Sequence, residues 1–130
     1  MDRVEYGVGR DLTEPYEKVL PRVLEALKAE GFGVITEIDV KKTMKEKLGV
    51  DGRPHVILGA CNPKLAHAAL EVEADLGLLL PCNVVVYETD AGTRVAAVNA
   101  GAMLGMVGND RLAPIADEVQ TPLDRVLESI

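Results

Sequence analysis

Hydrophobic positions along the chain change period several times, and each change marks an element. In RVEYGVG, residues 3–9, Val4, Tyr6 and Val8 alternate with charged or small residues, the pattern of one half-buried strand. Tyr16, Leu20, Val23, Leu24 and Leu27 then recur at helical spacing, so an apolar stripe runs to Gly31, where glycine suits a helix stop. Asp11 or Thr13 is placed to cap this helix, Pro15 is tolerated in its first turn, and Pro21 removes an interior donor, which predicts a bend. FGVITEIDV reads as a second strand, with Phe32, Val34 and Thr36 on one face and Ile35 on the other. Asp39 is a cap for a short helix containing Met44 and Leu48, and Gly49 ends it before a turn at VDGRP.

HVILGA, residues 55–60, is an apolar run bounded by prolines and suits a central strand. Asn62 and Pro63 match the cap and first position of a helix whose Leu65, Ala69 and Val72 face inward. CNVVVYETDAGTRVAAVNA reads as a hairpin closing at TDAG. GAMLGMVG, residues 101–108, reads as an irregular connection, after which Asn109 or Asp110 caps a last helix. Leu112, Ile115, Val119, Leu123, Val126 and Ile130 keep its period, with Pro114 and Pro122 expected to interrupt it. The order of elements predicts an α+β fold, helices on one face of a mainly antiparallel sheet, in one domain over residues 1–130. A parallel crossover through residues 55–88 fits the same pattern.

Composition narrows the function classes. The 130 residues are 48% hydrophobic and 27% charged, the balance of a globular domain able to bury a core without disulfides. Aromatics at 3% and a net charge of −7 weigh against nucleic acid and anionic membrane as partners, and KKTMKEKLG reads as a solvated helix face. The most apolar window, LGLLLPCNVVV, contains Pro81 and falls far short of the ~20 residues that span a bilayer. The first residues show no signal-peptide run, so a cytoplasmic protein with reduced thiols is expected.

The chemistry-bearing residues are few. Both cysteines are followed by asparagine, as Cys61-Asn62 and Cys82-Asn83. The spacing C-x20-C, with His67 six residues after the first cysteine, matches no zinc pattern, and neither GFG nor GMVGND has the context of a phosphate loop. No metal and no cofactor is expected.

The blocks EGFGVITEIDVKKTMKEKLG, ILGACNPKLAHAAL and LLLPCNVVVYE, in that order, resemble the bacterial and archaeal family known as domain of unknown function 302. The resemblance implies a TATA-box-binding-protein-like fold, a strand, a helix, a four-stranded antiparallel meander and a final helix, and carries no activity with it. In a meander the ends of the strands at residues 60, 83 and 98 share one edge. Cys61, Asn62, Cys82, Asn83 and Asn99 would then cluster as a ligand-binding site, whereas the parallel alternative separates the cysteines by roughly 20 Å.

The expected function is therefore a non-catalytic module that binds a small molecule or a partner through a polar site at one end of the sheet. The alternative is a thiol-dependent redox or transfer protein using Cys61 with Cys82, which needs a base, with His67 on the following helix the candidate. An exposed Met103, Leu104, Met106 and Val107 patch would mark a homodimer surface, and folding of that segment over the sheet edge is the competing reading.

Overall fold

The computed structural model describes residues 1–130 as a six-stranded antiparallel sheet ordered β1-β2-β6-β5-β4-β3, with helices packed on one face. The strands are β1 (Asp2–Val4), β2 (Gly7–Leu12), β3 (Gly33–Asp39), β4 (His55–Cys61), β5 (Cys82–Thr89) and β6 (Gly92–Val98). The helices are α1 (Tyr16–Ala29), α2 (Val40–Leu48), α3 (Pro63–Val72), α4 (Ala100–Gly105) and α5 (Ala113–Ser129). Strands β3 to β6 form the meander, and β4 pairs antiparallel with β5 through Ala60↔Cys82, which rules out the parallel crossover. The fold is α+β.

Local chemistry explains most boundaries. The Asp39 carboxylate accepts from Lys42 N at 2.9 Å at the start of α2, and Gly49 closes that helix at φ 67°. The β5–β6 hairpin turns on Asp90 and Ala91. It then needs Gly92, whose φ is 148° and whose Cα faces the Leu12 carbonyl so closely that a methyl group would overlap it.

Several expectations are corrected. Residues 3–9 form a tight hairpin rather than one strand, with Arg3↔Val8 paired and Tyr6 79% exposed at its turn. Period-two alternation is the same in one strand as in two short ones. Asp11 lies within β2, so α1 begins at Pro15 without a side-chain cap and runs unbroken through Pro21, held by buried Val19, Val23 and Leu27. GAMLGMVG is largely helix α4, with Leu104 buried, Met103 and Val107 half-buried and Met106 strongly exposed, so only part of the patch read as a dimer surface lies in the core. Asn109 caps a short 3-10 turn, Asp110–Leu112, and not the last helix. Helix α5 continues past Pro122, because Pro114 sits in its first turn and buried Val119, Leu123, Val126 and Leu127 hold the rest.

The inward residues of β4, β5 and β6, Val56, Leu58, Val84, Val86 and Val95 among them, meet α1 and α5 in one core. Arg10 of β2 fastens the far end of α5, its Nη1 donating to the carbonyls of Leu127 at 2.9 Å and Ile130 at 2.8 Å. A second small cluster, with Ala69, Leu76 and Leu104, joins α3 to α4 and α5. No helix is long and apolar enough to cross a membrane.

Candidate functional site

Where β4 ends and β5 begins, the chain leaves the sheet as α3, passes through a 3-10 turn at Ala74–Leu79, and returns through a cis Leu80–Pro81 bond. This excursion roofs a cavity of about 280 Å³ against α4 and α5. Fourteen of its 17 lining residues are hydrophobic. Cys61, Cys82 and Met103 bring three sulfur atoms to the wall, and Asn62 is the one residue there with a polar side chain other than a thiol. No acid, base or hydroxyl lines it.

The structure brings some of the expected site residues together and parts others. Cys82 stands opposite Ala60 on the inward face of the sheet, next to Cys61, so the antiparallel register makes the two thiols neighbours. Both are free, Cys61 partly exposed and Cys82 buried. Burial first, and the adjacent Cys61 second, push the Cys82 thiol up to about 11. Asn62 spends its Oδ1 as the cap of α3, accepting from Leu65 N at 3.3 Å, which leaves its amide N–H groups for another acceptor.

Asn83 and Asn99 do not line the cavity. Asn83 follows Cys82 in a strand and so projects from the opposite face, where it is exposed. Asn99 lies at the end of β6, on the same edge of the sheet, but its side chain caps α4 by accepting from Ala102 N at 3.1 Å. A helix thus stands where the sequence reads as an irregular connection, and Asn99 is its cap. His67 is also turned away, 78% exposed on α3 and 3.9 Å from Glu71. Sequence reasoning missed the apolar wall, Leu65, Ala66, Leu80, Met103 and Ile115 above all. Their helical spacing signals burial and does not distinguish a filled core from a lined cavity.

An open α+β sheet with one helix-covered face and an apolar cavity at its edge defines the class. The chain belongs to the family described as domain of unknown function DUF302, which matches residues 8–130. A crystal structure of an uncharacterized conserved DUF302 protein from Bacillus stearothermophilus has the same fold, with a TM-score of 0.88 and 31% identity over 97% of this chain and 98% of that one. No curated protein matches the chain.

Proposed function

We propose that the protein is a non-catalytic module that holds a small, largely apolar molecule in the cavity between α3, α4, α5 and the adjoining strand ends. The observation that supports this reading is the lining itself, 14 hydrophobic residues around about 280 Å³ with one free amide. A cavity of about 150 Å³ accepts benzene, so this one suits a molecule of roughly ten to fifteen non-hydrogen atoms. The Asn62 amide would donate to a single oxygen on that molecule, a carbonyl or hydroxyl, and fix its orientation. The earlier picture of a polar site gives way to an apolar one with a single polar contact.

The thiol-dependent alternative has less support. A thiol held up at about 11 stays protonated at neutral pH, and no base or cation lines the wall to activate either cysteine.

Titration with six- to twelve-carbon ketones and alcohols, followed by amide chemical shifts, tests the binding reading. Shifts are expected to concentrate at Ala60, Asn62, Leu65 and Met103, and Ala66→Phe, which fills the cavity, should abolish them. Asn62→Asp keeps the cap but removes the amide donor, and should weaken ketone binding about tenfold, the loss of one hydrogen bond. Saturable binding that survives Ala66→Phe would place the ligand elsewhere and end this reading.

A further inference from the structure

The strands that build the core are apolar on both faces, and helices cover only one. Ile57 of β4, Val85 of β5 and Ala96 of β6 point away from the helices, remain partly exposed, and belong to neither hydrophobic cluster. Strands apolar on both faces are characteristic of sheets that are covered on both. We propose that a second copy of this chain covers the open face, forming a two-fold dimer whose axis lies between the two sheets and runs along β5.

The relief of the face selects that occupant. Ile38, Ile57, Val85 and Ala96 stand in register across four neighbouring strands, so the surface steps down from isoleucine to alanine, and beyond Ala96 the Arg94 side chain lies over Gly9 of β2. The shallow half holds a groove of about 390 Å³ bordered by Tyr6, Val85, Tyr87, Ala96 and Val98. An axis along β5 sets Ile57 of each copy over Ala96 of the other and Val85 against its own counterpart. The high half of one copy then fills the shallow half of its partner twice over, as an isologous contact requires. Asn83, on the same strand and face, meets Asn83, and an amide carries both donor and acceptor, so the pair satisfies itself.

Charge points the same way. The one cation beside the groove, Arg94, is held by Asp2 at 2.7 Å and Asp11 at 3.2 Å, which leaves nothing for a polyanion to grip. The central residues Ile57, Val85 and Ala96 are uncharged, and the group of Arg94, Asp2 and Asp11 lies at the margin of the face. Five strands spaced by ~4.8 Å and five residue lengths of ~3.3 Å give a face on the order of 400 Å² per copy, the size of a weak, transient contact. A weak, reversible dimer fits that area.

Sedimentation equilibrium from low micromolar to near-millimolar chain tests it, with circular dichroism confirming the fold of each variant. The wild type should pass reversibly from monomer to dimer. Val85→Lys and Val85→Glu, each opposing its own charge across the axis, should each weaken association by on the order of 100-fold. An equimolar mixture of the two should recover the dimer, because a two-fold axis over Val85 brings residue 85 of one copy against residue 85 of the other. A wild type that is monomeric throughout, single variants that associate as it does, or a mixture that stays monomeric would overturn the proposal. Residue 85 is not part of the cavity wall, so failure here leaves the binding reading standing.

Discussion

β5 supplies Cys82, Val84 and Val86 to one face of the sheet and Asn83, Val85 and Tyr87 to the other, and the two sets meet different surroundings. The inward set is buried beneath α1 and α5, while Asn83 is exposed and Val85 and Tyr87 only partly covered by their strand neighbours. Adjacent residues of similar chemistry thus carry different energetic weight. Valine inside the core excludes water permanently, whereas Val85 leaves apolar area in reserve. The comparison teaches that hydrophobicity in a strand records how many faces will be covered, and by what only the packing can say.

The largest expected contrast lies one residue apart in β4. Leu58, fully buried, should lose about 3 kcal/mol on Leu58→Ala, a deletion of core volume that α1 and α5 cannot refill. Ile57→Ala, on the open face, should cost about 1 kcal/mol or less in dilute solution. Equal losses in urea unfolding would erase the distinction between the faces.

Cys82 sharpens it by pH. Its thiol titrates near 11 when folded, above the ordinary value of 9.0, so the unfolded chain gives up that proton first as pH rises. The stabilisation is complete below about pH 9 and is lost progressively on the way to about pH 11, roughly 2 to 3 kcal/mol in all. The difference between wild type and Cys82→Ala should therefore shrink across that window. A difference that stays constant between pH 8 and 11 would mean that the thiol ionises freely in the folded protein.

The asparagines give the smallest effects and the cleanest ranking. Asn62→Ala and Asn99→Ala should each cost about 1 kcal/mol through lost caps on α3 and α4, while Asn83→Ala in dilute solution should change stability by less than about 0.5 kcal/mol. Thermal unfolding of the three single variants settles the order.

The sequence was most legible where one residue type performs one local task. Asp39, Gly49, Asn62 and Pro63 act as their types predict, because a cap or a helix stop depends on a few neighbouring backbone groups. The meander emerged with the right order, and the neighbouring position of Cys61 and Cys82 followed from it. Helix α4 was hidden because its glycines lower local propensity, while Gln120 of α5, accepting from Ala100 N at 2.7 Å, fastens its start from a distant part of the chain. The site was half visible for the same reason. Cys61, Asn62 and Cys82 follow from register, but the parity that turns Asn83 away and the helices that wall the cavity depend on tertiary packing.

The position of β2 has a kinetic consequence. Each strand of the meander pairs with the one before it, so β3 to β6 can zip through contacts formed step by step along the chain. β2 has only the three-residue β1 as a local partner. It waits, with α1 attached, until β6 exists to receive it, Gly7 against Val98, and until α5 offers its last carbonyls to Arg10. Closing that long loop costs entropy before any contact compensates it, so docking of the first strands is the slow event in folding. Mutations in the β4–β5 ladder, already formed when β2 docks, should accordingly slow folding with little effect on unfolding, and those at the β2–β6 seam should divide their effect between the two rates.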